Sequence, residues 1–392
     1  MLTRSGIGFR CDRGMNVEKL THLSASGFRS IRSVDIALGD LTVLIGANGS
    51  GKSNFVSFFN MLSFMMTGSL QLYIARKGGG SSILHYGPKR TPVLTTKLRF
   101  DDTNGWSEYG ATLAHASPDR LIFTHERVEY QLRHKDRSFP VDLGSGASET
   151  GLLSISSGSD AHAKTARVFL ARLKGLRVYH FHDTSESAFI RTSQEVDRNR
   201  SLQSNGGNLA SFLYMLREAF PQHYERIVST VRLAVPYLKE FDLAPDRLSP
   251  GHIQLRWKDR NPDYEFGPHQ LSDGSLRAIA LITALLQPEE LLPSVIFVDE
   301  PELGLHPSAS GIVATLLKAT SAKRQIVVAT QSPRLLAECA PRDVVVVERD
   351  EDDRGYGAST FTRLEPEALG EWLNDYDLGR LYEMNVTGGG PR

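Results

Sequence analysis

Apolar residues fall into two spacings along this chain, and the spacing changes from one region to the next. "LSASGFRSIRSVDIAL" (23–38) alternates apolar and polar positions, while "LTVLI" (41–45) is apolar throughout. Alternation predicts a strand or hairpin with one wet face, and a short continuous apolar run predicts a buried strand. "SNFVSFFNMLSFMMTG" (53–68) is apolar nearly all round, so it predicts a helix buried on most sides. Between 70 and 180 the runs are short and alternating, as in "VLTTKLRF", "YGATLAHA", "RLIFTHERVEYQL" and "SFPVDL". They predict an antiparallel β subdomain. "GSGASETGLLSISSGSDA" (144–161) is rich in Gly and Ser and is expected to be a mobile loop.

Helical spacing returns in "AHAKTARVFLARLKGL", "GGNLASFLYMLREAF" and "HYERIVSTVRLAVPYLKEF", with a strand at "RVYHFH" and a hairpin expected from "HIQLRWKD" and "DYEFGPHQL". Helix and buried strand then alternate through "SLRAIALITALL", "SVIFVDE", "ASGIVATLLKAT", "QIVVATQ", "PRLLAECA" and "DVVVVER". That rhythm predicts βαβ units and a parallel sheet covered by helices. The expected class is therefore α/β: a mainly parallel sheet core flanked by helices, an antiparallel β subdomain, and an inserted helical and β lobe. The expected divisions are a flexible extension at 1–17, with Met15 as an alternative start, a first part of the core at 18–70, an inserted lobe at 71–265, and a second part of the core at 266–392.

Composition narrows the class without naming the task. The 392 residues carry 45 basic and 45 acidic side chains, so there is no global field to draw in DNA or anionic lipid. Cys11 and Cys339 make neither a disulfide framework nor a metal cluster, and a reducing cytoplasm is the expected compartment. No apolar run reaches the ~18 residues that a membrane-spanning helix needs, so no membrane partner is expected.

The chemistry concentrates at three places. "GANGSGKSN" (46–54) matches G-x-x-x-x-G-K-[ST] in full and lies between a buried strand and a helix. Glycine torsions turn several N–H groups toward one point, and the helix N-terminus adds partial positive charge. Gly46, Ala47, Asn48, Gly49, Ser50, Gly51, Lys52, Ser53 and Asn54 are thus the expected nucleotide contacts, with Lys52 on the β- and γ-phosphates and Ser53 on Mg²⁺. A Gly-rich turn without a ligand is the alternative, and the strand–motif–helix order weighs against it. "SVIFVDEPE" (294–302) ends a buried strand in Asp299 and Glu300. A parallel strand delivers such carboxylates at its C-terminal edge, Asp299 as a Mg²⁺ partner and Glu300 as a general base. "LSDGS" (271–275) opens an amphipathic helix 27 residues before Asp299. Ser272 is there either as an ordinary helix cap or, with Gly274, as an anion site for a nucleotide held by a second copy of the chain.

The series "FRSIRSVDIALGDLTVLIGANGSGKSN", "LSDGSLRAIAL", "VIFVDEPELGLHP" and "IVVATQSPRLL" resembles the ABC-type ATPases of the RecF and structural-maintenance-of-chromosomes group, nearest to single-chain bacterial "AAA family" ATPases. "WLNDYDLGRLYEMNVTGGGPR" resembles the tail of one such family. The resemblance spans roughly 20–66 and 268–392 and implies a P-loop fold of ABC type, with ATP and Mg²⁺ as cofactors. It implies a Walker A loop at Gly46–Ser53, Walker B at Asp299 and Glu300, a signature at Leu271–Ser275, and a D-loop region at 301–307. It further implies a homodimer closed around two ATP molecules, acting as a switch in DNA maintenance or anti-phage defence.

Arg29 matches a basic position that lies near the nucleotide in relatives; a solvated strand residue is the other reading. Two departures stand out. Gln331 occupies the place of a switch histidine, and glutamine hydrogen-bonds but cannot titrate, so slow or partner-dependent turnover is expected. Asp273 replaces a glycine of the signature and is unfavourable beside phosphate unless it caps the helix. Gln194 and Gln203 are candidates for the Q-loop, after "FHDTS" (181–185). His180, His182 and His306 lack metal-ligand spacing; His306 belongs to the D-loop stretch, and the other two are expected to be structural.

No sustained heptad fills the interval between Lys52 and Ser272, so a long coiled coil is not expected. Only 61 residues follow Gln331, fewer than an appended Toprim nuclease domain needs. The acidic run "ERDEDDRG" (348–355) is expected to be a solvated hairpin turn. Arg76, Lys77, Lys89, Arg90, Arg198 and Arg200 are candidate contacts to DNA, or scattered surface charge. A clamp on DNA or on an effector protein, with negligible turnover, is the rival function.

Overall fold

The two apolar spacings sort into two six-stranded sheets. The structure is a computed structural model that describes residues 18–260, 264–351 and 355–390; the expected extension 1–17, with Cys11, and residues 352–354 of the acidic turn lie outside the described residues. The antiparallel sheet is built from β1 (Lys19–Phe28), β2 (Ile31–Ala37), β4 (Val93–Asp102), β5 (Gly105–Ala116), β6 (Arg120–Leu132) and β7 (Phe139–Gly144), in the order β2-β1-β4-β5-β6-β7. It therefore draws two strands from before the phosphate loop and four from after it.

The second sheet contains β3 (Leu41–Ile45), β8 (Leu176–Tyr179), β14 (Val295–Asp299), β15 (Gln325–Ala329), β16 (Val344–Glu351) and β17 (Gly357–Arg363), in the order β17-β16-β3-β15-β14-β8. All its pairings are parallel except the β16/β17 hairpin, and Glu348–Glu351 of the acidic run, expected in a turn, belong to strand β16. Short strands β9 (Gln194–Glu195), β10 (Glu240–Asp242), β11 (His252–Ile253), β12 (Arg256–Lys258) and β13 (Glu265–Phe266) form two small antiparallel sheets. The expected class, α/β with a mainly parallel core and an antiparallel subdomain, is the class observed.

Successive residues of the parallel strands face opposite cores, as a period of two requires. On one side Val43, Ile45, Ile296, Val298, Ile326 and Val328 pack against the helices Leu209–Ala219, Pro221–Ala234, Asp273–Leu286 and Pro307–Ser321. On the other, Leu44, Phe297, Val327 and Val345 face the helix Lys52–Met65 and, beyond it, the inner face of the antiparallel sheet. That helix sits between the two sheets, which is why it is apolar all round. Phe55, Phe58, Phe59, Met61, Leu62 and Met65 are each at most 1% exposed, and each such burial is worth about 1.5–3 kcal/mol. The tight packing fixes the helix N-terminus, and with it the phosphate loop.

The Gly/Ser-rich stretch 144–161 is not the loop expected of it. It contains the helix Gly151–Ser156, capped by Thr150, and the buried Glu126 carboxylate accepts from Thr150 Oγ1 at 2.5 Å and Gly151 N at 2.8 Å. Composition predicts a loop because Gly and Ser have weak helix propensity; a carboxylate on a neighbouring strand supplies the acceptor that orders this one. Among the described residues no helix exceeds 15 residues, so none carries a long coiled coil, and none is long and apolar enough to cross a membrane.

Candidate nucleotide site

The phosphate loop turns on contacts that exclude side chains. A Cβ on Gly46 would stand 2.1 Å from Val347 O, and one on Gly51 would stand 2.0 Å from Ser359 Oγ, with Gly51 at a φ of 118°. Both glycines are therefore fixed by β16 and β17, strands from the far end of the chain. Ser359 Oγ donates to Ser50 O at 2.6 Å and lies 2.7 Å from Ser30 Oγ, which accepts from Asn54 Nδ2 at 2.7 Å. Arg29, at a φ of 49°, reaches Asn54 Oδ1 with its guanidinium at 3.5 Å, placing it beside the loop rather than out on a strand face.

Lys52 is buried, and its ammonium donates to Gly46 O at 2.6 Å and Ala47 O at 3.0 Å. Burial lowers its pKa, opposed by the carboxylates of Glu300, Asp299 and Glu302. Ser53 Oγ donates to Asp299 Oδ1 at 3.3 Å, so the two expected magnesium ligands are adjacent. Burial pushes the Asp299 carboxyl up to about 6, against the pull of His182 and the Ser53 hydrogen bond. Glu300 follows at a φ of 43°, a left-handed backbone that is strained for a side-chain-bearing residue. The Gln331 amide donates both to Asn48 Oδ1 and, at 3.4 Å, to Glu300 Oε1. One neutral side chain thus bridges the phosphate loop and the candidate base.

The signature is built differently. Ser272 Oγ accepts from Ser275 N at 3.1 Å and caps the helix Asp273–Leu286. Asp273 does not cap it; its carboxylate pairs with the buried Arg191 at 2.7 Å, and that contact holds its pKa below the usual range. Gly274 packs on the D-loop region, where a Cβ would meet Gly304 O at 2.1 Å. Among the described residues no hydrogen bond joins Ser272, Asp273 or Gly274 to the loop 46–54.

The two candidate Q-loop residues are elsewhere: the Gln194 amide donates to Phe189 O, and Gln203 N donates to Asn208 Oδ1. His182, read from the sequence as structural, instead reaches the site, with Nε2 2.9 Å from Asp299 O and its ring 4.0 Å from that of His180. The signal was its place three residues beyond a parallel strand bordering the Asp299 strand, legible only once the strand order is known. His306 does cap a helix, accepting from Ser308 N at 3.3 Å.

A family model described as "AAA domain, putative AbiEii toxin, Type IV TA system" matches residues 41–337. The chain belongs to this family. The matched span runs from β3 to the helix Pro333–Leu336 and so includes the loop, signature, Asp299–Glu300 pair and Gln331 of this AAA-domain protein. The chain is also similar to an OLD nuclease of Thermus scotoductus, 24% identical over 380 residues, covering 93% of this chain and 68% of that protein. Among solved structures it is similar to an Smc head bound to the C-winged helix domain of ScpA, with 16% identity, a TM-score of 0.56, and coverage of 89% of this chain and 98% of that one. It is likewise similar to an Smc head domain with an extended coiled coil bound to the C-terminal domain of ScpA, derived from Pyrococcus furiosus, with 14% identity, a TM-score of 0.55, and coverage of 91% and 99%. The fold of this family member is that of an SMC-like and RecF-like ABC ATPase.

Proposed function

We propose that the chain binds and hydrolyses ATP in a site that a second copy of itself completes, and that nucleotide turnover switches the dimer between closed and open states. The observation that carries this reading is the Gln331 amide spanning Asn48 and Glu300, which ties the phosphate loop to the residue that would take the proton of the attacking water. Lys52 and the loop N–H groups hold the phosphates, and Arg29 and Asn54 flank them. Ser53 and Asp299 fit magnesium: both are oxygen donors, they are adjacent, and Asp299 is buried with one hydrogen bond to its carboxylate. Bound there, magnesium would neutralise phosphate charge. Among the described residues no group of three His, Cys, Asp or Glu could cage a metal alone, in keeping with an ion held jointly with phosphate oxygens.

Ser272 and Gly274 would close on the nucleotide of the partner copy, since among the described residues neither hydrogen-bonds the loop of its own chain. In this reading 18–70 and 266–392 do the nucleotide chemistry, and the interval 71–265 meets the DNA or effector protein that the switch governs. The nuclease relative supports a DNA-directed task such as repair or anti-phage defence, and the lack of a membrane-spanning helix supports a cytoplasmic setting. A second reading, a nucleotide-dependent clamp with negligible turnover, is favoured by Gln331 itself, which cannot act as an acid or base.

Glu300→Gln separates the two. In the first reading it slows hydrolysis by at least about 100-fold, retains ATP, and accumulates as a dimer by light scattering; adding Ser272→Arg returns it to monomer. Hydrolysis at the wild-type rate would exclude Glu300 as the base, and a variant that stays monomeric when saturated with ATP would exclude the shared site.

A further inference from the structure

We infer that Glu302 is a positioning residue, which fixes the turn 330–332 so that the Gln331 amide is aimed between the phosphate loop and Glu300. The inference rests on the ATPase reading above and gives Glu302 a role within its own chain that the D-loop motif did not assign. Glu302 Oε1 accepts from Thr330 Oγ1 at 2.7 Å and from Gln331 N at 2.9 Å. Thr330 Oγ1 accepts in turn from Ser332 N at 3.0 Å, and Thr330 N donates to Leu44 O at 3.0 Å, on the phosphate-loop strand. Every backbone N–H of this three-residue turn is thus assigned: Gln331 N to the Glu302 carboxylate, Ser332 N to the Thr330 hydroxyl that the same carboxylate holds, and Thr330 N to Leu44 O. With the backbone held, the Gln331 side chain points to Asn48 and Glu300.

Glu302 can reach back because the chain reverses just before it. Glu300 is left-handed, its N–H donates to Ala329 O at 2.7 Å, and its carbonyl accepts from Leu303 N at 3.1 Å. The other Glu302 oxygen, Oε2, is buried without a hydrogen-bond partner among the described residues. A half-buried carboxylate whose one oxygen takes two donors of one turn is an arrangement for rigidity, because charge-assisted bonds are about twice as strong as neutral ones. The base at 300 and the clamp at 302 come from one loop, so movement of that loop moves both the base and the amide that touches it.

The test uses the full chain. In the nucleotide-free protein, amide hydrogen exchange across 328–336 should accelerate about tenfold or more in Glu302→Ala, and stay near wild type in Glu302→Gln, which keeps the accepting oxygen. In steady-state hydrolysis Glu302→Ala should lose about tenfold in kcat with KM within about twofold, and Glu302→Gln should restore most of the rate. Should Glu302→Ala not fold, Thr330→Val reports on the same turn and should also speed its exchange. Exchange at the wild-type rate in Glu302→Ala, or equal loss of kcat in the Ala and Gln variants, overturns the inference. If the wild type shows no hydrolysis, the ATPase reading fails, while the exchange measurement still decides the role of Glu302.

Discussion

Two carboxylates are buried in the described residues, one in each large sheet, and they are treated in opposite ways. Glu126, on β6, accepts from Tyr109 Oη at 2.7 Å, Thr150 Oγ1 at 2.5 Å and Gly151 N at 2.8 Å. The Asp299 carboxylate, at the end of β14, accepts among the described residues from Ser53 Oγ, at 3.3 Å. Burial raises the pKa of both. Three hydrogen bonds offset part of the burial cost at Glu126, so that carboxylate belongs to the scaffold. At Asp299 they do so only weakly, and the oxygen beside the phosphate loop is left short of donors or cations. A buried polar group with poor compensation is expensive, and such groups concentrate at functional sites.

The sharpest way to break this contrast is to delete each group. Glu126→Ala leaves three donors without their acceptor and should cost about 3 kcal/mol or more in urea unfolding. Loss of less than about 1 kcal/mol would mean that the antiparallel sheet does not depend on that cluster. Asp299→Asn, measured in EDTA at pH 7, should unfold no more easily than wild type and should gain up to about 3 kcal/mol, since the ionised form is the one that burial opposes. The same variant should lose magnesium-dependent hydrolysis by about 100-fold or more; full activity in Asp299→Asn would remove it from the site.

The smallest effect is a pH slope. Glu126 has a raised pKa in the fold, so its contribution to stability is complete below the usual glutamate value and is lost as pH rises through its folded value. Glu126→Gln should flatten unfolding free energy across that window. A slope that persists unchanged in Glu126→Gln would assign it to other groups.

Much of this was legible from the chain alone. Continuous apolar runs gave the buried parallel strands, alternation gave the antiparallel ones, and the phosphate motif between strand and helix located the loop. Those features depend on local spacing. The segment 144–161 failed because its helix is ordered by Glu126, a residue of another strand. His182, Glu302 and the Arg191–Asp273 pair escaped because each acquires its role from a neighbour far away in sequence.

What the sequence determined by itself was the inventory: which segments are strands or helices, which face of each is apolar, and where a Gly-rich loop joins a buried strand to a buried helix. Periodicity and backbone torsion act over a few residues, so a linear reading captures them. Only the tertiary structure decided that β16 and β17 wall the loop's glycines, that Gln331 touches Glu300, and that the buried Arg191 takes Asp273 of the signature. Strand order and burial decide those matters, and both arise from packing between residues hundreds of positions apart.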